Sequence, residues 1–132
     1  MSGSEESARE RNLATVRRFF EAFDTSKRGP LWADDAVFEM PFDRGGPVTI
    51  RGREAILRES DEWIANVARH DYFDLRIHAT LDPEVFWVSV KSTTVDKASR
   101  KTLTMQLVNY LRVVDGKVVH RIEYFDPNAL PR

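Results

Sequence analysis

The chain has 132 residues, enough for one domain with a real core but too few for a catalytic domain joined to a separate binding domain. Its 20 basic and 21 acidic side chains nearly cancel, so no net field draws it to nucleic acid or an anionic membrane, and small neutral or mixed partners are expected. Cysteine is absent, which excludes disulfides and thiolate chemistry. No apolar run reaches the roughly eighteen residues of a membrane helix. The start, "MSGSEESARERN", has no apolar stretch of a signal peptide or anchor, so a soluble, cytoplasmic protein is expected.

Residues 1–8 and the last few are expected to form mobile ends around one domain spanning 9–128. From Ala8 to Phe23, Leu13, Val16, Phe19, Phe20 and Phe23 recur at three- and four-residue spacing, which predicts an amphipathic helix with an aromatic face. "TSKRGP" breaks it, and a short helical turn near Leu31–Ala33 leads into "AVFEMPF", a strand ending at Pro41. "DRGGPVTIRG" reads as a loop with a short extended piece. A second helix follows over Glu54 to Ala68, carried by Ile56, Leu57, Trp63, Ile64 and Val67.

Beyond His70 the period becomes two, with Phe73, Leu75, Ile77, Ala79 and Leu81 alternating with polar residues. "LDPE" is a turn before "VFWVSVKSTTV", where Phe86, Val88, Val90 and Ser92 share one face. Two further strands, "TLTMQLVNYLRVV" and "KVVHRIEYF", flank the hairpin pair Asp115-Gly116. Helices first and four successive strands afterwards predict an α+β domain whose helices cover one face of a curved sheet, leaving a pocket between.

Glu123 stands inside the last strand, in phase with Val119, Arg121 and Phe125. If that face lines the pocket, a desolvated carboxylate among apolar walls suits acid or base work near neutrality. If it faces water, Glu123 and Arg121 form an ordinary exposed ion pair of little energetic weight. Asn109 lies on an otherwise apolar face with Met105, Leu107, Leu111 and Val113. Its amide either donates to a substrate oxygen or bonds a neighbouring strand or Glu123. Phe19, Phe20, Phe23, Trp32, Met40, Trp63, Phe73 and Phe86 are core or pocket wall, and Val88 shares the face of Phe86. His70, His78 and His120 have no metal-ligand spacing and read as surface residues, and Gly45-Gly46 lacks the context of a phosphate loop. Neither a metal nor a cofactor is expected.

The element order, with "LWADDAVFEMPF", "IRGREAI" and "DGKVVHRIEYFDP", resembles the SnoaL-like branch of the nuclear-transport-factor-2-like superfamily, which includes ketosteroid isomerase, over about residues 9–128. The resemblance implies a cone-shaped, curved antiparallel sheet wrapped around helices, one deep pocket, and a homodimer through the outer sheet face. Arg51-Gly52, Glu62-Trp63, Arg76-Ile77, "DP" at 82, "FWV" at 86 and "EYFDP" at 123 resemble the phenazine-biosynthesis A/B-type proteins. There a glutamate at the position of Glu123 acts as acid/base, and a pocket histidine would fall at or near Phe73. The aspartate base and oxyanion tyrosine of ketosteroid isomerase correspond to Met40 and Phe19, which makes these two leading lining residues, and its second aspartate falls at Asn109. Neither a thioether nor a phenyl ring takes a proton, so steroid isomerisation by that route is not expected.

Together these readings predict a small-molecule enzyme doing cofactor-free acid/base chemistry on a cyclic or polyketide-like metabolite: isomerisation, dehydration, cyclisation or condensation. Glu123 would shuttle a proton and Asn109 bind an oxygen. Phe19, Phe23, Trp32, Met40, Trp63, Phe73, Phe86, Val88, Arg121 and Phe125 would contact substrate. The alternatives are a non-catalytic binding or accessory protein and a limonene-type epoxide hydrolase, the latter if Arg121 and Glu123 face the pocket with a second acid.

Overall fold

The structure, a computed structural model, describes residues 2–21 and 23–129. Helix α1 (Ser2–Glu21) starts ahead of the periodic stretch at Ala8, so the expected N-terminal tail is largely its first turns. Glu5 in the first turn complements the helix dipole, and Glu6 pairs with Arg9 at 2.7 Å. The mobility expected of the last few residues falls on 130–132, outside the described residues.

Helix α2 (Thr25–Arg28) occupies the "TSKR" that reads as a break. Asp24 caps it, its carboxylate accepting from the Lys27 N–H at 3.0 Å, and a 3-10 turn (Gly29–Leu31) carries the chain into strand β1 (Trp32–Met40). Then follow β2 (Val48–Arg51), α3 (Arg53–Ala65), β3 (Val67–Ala79), β4 (Val85–Asp96), β5 (Thr102–Val114), β6 (Lys117–Tyr124) and a last 3-10 turn, Pro127–Ala129. The domain is α+β, as the element order predicts.

The six strands form one curved, unclosed sheet in the order β2-β1-β6-β5-β4-β3. Strands β3 to β6 are the expected antiparallel meander, while β1 joins β6 in parallel. At the β5–β6 turn Asp115 and Gly116 have φ of 49° and 76°, the left-handed pair that a two-residue hairpin requires. Val16, Phe19 and Phe20 of α1 pack on Phe86, Val88, Val90, Leu111, Val113 and Val118 of the sheet. Two polar residues pin the same helix: Asn12 donates to the Pro83 carbonyl and accepts from the Gly116 N–H, and Thr15 donates to the Gly116 carbonyl. α1 is thereby fixed over the turns at Pro83 and Gly116 without a buried polar atom of Asn12 going unmet.

Of the sheet's register shifts, two bear directly on which side chains face the cavity. Between Phe73 and Arg76 of β3 the partner strand advances only from Lys91 to Ser89, so β3 carries one extra residue, and Asp74 there has φ 53°. Because side-chain direction alternates, the extra residue reverses the phase of the strand. His70 and Tyr72 face inward before it and Ile77 packs on the core after it, whereas Phe73 and Leu75 are exposed. The uninterrupted alternation expected from Phe73 to Leu81 is thus broken in its first half, and Phe73 does not line the pocket. On β6 the shift falls opposite Arg112 and Val113, where Val118 rather than Val119 is fully buried. Arg121, Glu123 and Phe125 keep the inward phase beyond it.

The left-handed backbone at Asp74 suits aspartate or glycine and not a β-branched residue. Asp74→Gly should leave urea-unfolding stability nearly unchanged, whereas Asp74→Val should lower it by about 1–2 kcal/mol.

Candidate active site

Between α2, α3 and the inner sheet face lies a cavity of about 460 Å³, within the range that holds one small organic molecule. One side is apolar, with Phe38 and Met40 of β1, Ile50 of β2, Met105 and Leu107 of β5, and Phe125. The other side is polar, with Arg28, His70, Tyr72, Ser92 and Thr94. β6 supplies Arg121 and Glu123, and Phe23 and Trp63 enclose the helical side.

Arg121 is 3% exposed. Its Nε donates to Oδ1 of Asn109 at 2.9 Å and its Nη2 donates to Oε2 of Glu123 at 2.7 Å. The guanidinium also lies against three aromatic rings, with centroids of Phe38, Phe19 and Phe20 at 4.7, 5.1 and 5.7 Å. The exposed ion pair considered for Arg121 and Glu123 is therefore replaced by a largely buried one, with the carboxylate side chain only 15% accessible. Such a charge-assisted bond is short and directional. It fixes one carboxylate oxygen and leaves the other for a ligand.

Asn109 is fully buried and is not among the residues lining the cavity, so it is placed behind Arg121 rather than against a substrate. Its Nδ2 is buried without a hydrogen-bond partner. Phe19, Trp32, Phe86 and Val88 are likewise core residues rather than lining. For Phe19 the reason is visible: the Arg28 guanidinium sits 4.1 Å from its centroid and Arg121 stacks on it too. Of the expected contacts, Phe23, Met40, Trp63, Arg121, Glu123 and Phe125 line the cavity.

His70 overturns the surface reading of the histidines. It lies inside β3, three residues before Phe73, where the family histidine was expected, and lines the cavity. Rings of Tyr72, Phe23 and Trp63 stand edge-on to it at 4.7, 4.8 and 5.1 Å. Its Nδ1 is 2.8 Å from Oγ1 of Thr94, while Nε2 is buried with no hydrogen-bond partner. Burial, reinforced by the Arg28 charge, holds the imidazole down to about 4 from its ordinary 6.5, so it is neutral at physiological pH. His120, also read as a surface residue, is half-buried and pairs with Glu39, and His78 is exposed as expected.

Arg28 is the second residue that sequence reasoning missed. Its Nε donates to the Phe19 carbonyl at 2.8 Å and its Nη2 to the Tyr72 hydroxyl at 2.9 Å. Burial pushes the guanidinium below its ordinary value, opposed by Tyr72. The one available signal was Asp24 three residues before Lys27, which marks a capped turn and so an ordered Arg28. Among the described residues no three His, Asp or Glu side chains cluster to hold a metal, and no helix is long and apolar enough to cross a membrane.

The sequence profile of the SnoaL-like domain matches residues 15–121. No curated protein is significantly similar in sequence. Among solved structures, a phenazine biosynthesis-related protein from Pseudomonas aeruginosa superposes with a TM-score of 0.89 at 16% identity, over 100% of this chain and 95% of that one. A protein with the provisional name polyketide cyclase from Xanthomonas campestris gives 0.78 at 16% identity, covering 92% and 94%. A protein of ketosteroid isomerase-like fold from Catenulispora acidiphila, in complex with trimethylamine, gives 0.73 at 15% identity, covering 85% of both chains. At these identities the likeness establishes the cone-shaped fold.

A histidine held at about 4 when folded binds its proton more readily once unfolded. Between about pH 6.5 and 4 the unfolded chain therefore takes up a proton that the folded one refuses, so stability is full above this window and falls as pH drops through it. The urea midpoint, compared between about pH 7 and about pH 4.5, should fall less for His70→Gln than for the unmodified protein.

Proposed function

The chain belongs to the SnoaL-like domain family, and on that premise we propose that it is an acid/base enzyme acting on a cyclic or polyketide-like metabolite with its own side chains. The observation that carries the proposal is the convergence, in one largely apolar cavity, of a carboxylate oriented by a buried guanidinium and a neutral imidazole with an unpaired nitrogen.

Glu123 takes a proton from a carbon next to a substrate carbonyl, which is the demanding step of isomerisation, dehydration, cyclisation and condensation alike. The carbonyl oxygen gains negative charge in that step. With the Thr94 hydroxyl donating to Nδ1, the Nε2–H of His70 donates to that oxygen as neutral imidazole, and the Arg28 and Arg121 charges favour the developing anion. Burial and neighbouring charge keep His70 neutral, so it hydrogen-bonds the oxygen without releasing a full proton. Collapse of the enolate returns the proton from Glu123 to a different atom, or expels a leaving group. The apolar wall of Phe38, Met40, Ile50 and Met105 suits a flat ring system and keeps bulk water from competing for the enolate.

The epoxide-hydrolase reading has less support. Arg121 and Glu123 do share the cavity, and Asp43 and Glu59 line it as well, but the other hydrogen bond of Arg121 goes to an amide. Deuterium exchange at carbons next to the carbonyl of 2-tetralone and cyclic 1,3-diketones, followed by proton NMR, tests the acid/base proposal. Exchange should exceed the buffer rate and fall by about a hundredfold to ten-thousandfold in Glu123→Gln, with a smaller loss in His70→Gln. Binding of these ketones without accelerated exchange would favour the non-catalytic alternative.

A homodimer through the outer sheet face is part of the same proposal. That face carries an aromatic strip in which Trp87, 40% exposed, is stacked with Tyr124 at 6.3 Å and lies edge-on to Tyr110 at 5.5 Å, while Phe42 reaches Tyr124 at 5.8 Å. Exposed apolar area of this kind gains by being covered. Sedimentation equilibrium should give twice the chain mass for the unmodified protein and the single-chain mass for Trp87→Lys.

A further inference from the structure

We infer that Asn109 is the positioning residue of the site: a neutral acceptor that pins Arg121 by its Nε and leaves the guanidinium charge to Glu123. The inference rests on Glu123 being the proton-transfer group, as proposed above.

The register sets up this arrangement. Asn109 of β5 is directly opposite Glu123 of β6, with Val88 of β4 on its other side. Leu107 and Leu111, two residues away on the same strand, are buried beside it. An amide that is fully buried and only half used is unusual, because an unpaired Nδ2 carries its desolvation penalty with no hydrogen bond in return. Leucine has nearly the same shape and would remove that cost, yet the position holds an amide. What the amide alone supplies is Oδ1, 2.9 Å from the Arg121 Nε.

A guanidinium is a rigid planar fork, so holding Nε and one Nη fixes its orientation completely. The rings of Phe38, Phe19 and Phe20 favour its charge but do not set its rotation in its own plane. Glu123 alone provides one contact, about which the fork can pivot. The second contact from Asn109 removes the pivot and aims Nη2 at Oε2. The neutrality of this acceptor matters as well. An aspartate at the same position would bond Nε equally well but would divide the Arg121 charge between two carboxylates and crowd Glu123 with a like charge across the strand pair.

The test uses proton–nitrogen NMR of the arginine side chain together with the 2-tetralone exchange assay. In the unmodified protein the Arg121 Nε–H bond should be as rigid as the backbone by nitrogen relaxation, because the fork cannot pivot. In Asn109→Leu its order parameter should drop and exchange should fall about tenfold through kcat with KM unchanged. In Asn109→Asp the Nε–H bond should stay rigid while exchange still falls. A mobile Nε–H bond in the unmodified protein, or an equally rigid one in Asn109→Leu, would overturn the inference. If Asn109→Leu does not fold, Asn109→Ser, too short to reach Nε, is read in the same way. Should the unmodified protein fail to accelerate exchange while the NMR pattern appears, the acid/base reading falls and the positioning role of Asn109 stands.

Discussion

A guanidinium inside a protein core demands partners, since an unpaired buried charge costs several kcal/mol. Arg121 meets that demand from four elements at once: α1 brings Phe19 and Phe20, β1 brings Phe38, β5 brings Asn109, and its own strand brings Glu123. Each of these is placed by packing that extends well beyond the site. The aromatic residues of α1 reach the guanidinium because Asn12 and Thr15 tie that helix to the β3–β4 and β5–β6 turns. Phe38 reaches it because β1 pairs in parallel with β6, with Phe38 in register with Arg121. The buried charge thus makes the aromatic face of α1 and the meander answer to the same point.

Burial and the charge around that point together set the state of His70. Burial weighs most and the two nearby guanidiniums add to it, so the ring stays uncharged where an exposed histidine would titrate. Without the ion pair between Arg121 and Glu123 the cavity would hold two cations with no anion among its deeply buried groups. With it, the buried guanidinium has an anion beside it, while the imidazole that lines the same cavity stays neutral.

How much of this is legible in the sequence depends on whether a strand keeps its phase. On β4 the alternation from Phe86 to Ser92 runs unbroken, and on β5 that from Leu107 to Val113, and inward and outward faces follow directly from the letters. Asn109 could be singled out as a polar residue on an apolar face, and Glu123 as a carboxylate sharing a phase with Phe125. What the letters do not carry is the partner that each meets: Arg121 could equally have turned to the rim. His70 was illegible for a different reason. Its place depends on one extra residue at Asp74, and aspartate in a strand marks a surface position as readily as a left-handed turn of the chain.

That extra residue gives β3 two roles that a regular strand could not combine. Before Asp74 the strand presents His70 and Tyr72 to the cavity, and after it Ile77 closes the core near α1. A regular strand with Ile77 inward would also turn Phe73 inward and put His70 in solvent, giving an apolar pocket without its imidazole. One with His70 inward would bury His78 and expose Ile77, at a cost to the core. The bulge removes this conflict by spending a single left-handed residue on the surface, where Lys91 pairs with Asp74 at 3.2 Å. The polar wall of the cavity and the packing beneath α1 are therefore set by the same irregularity, which is why the fold could be read from periodicity while the chemistry of the site could not.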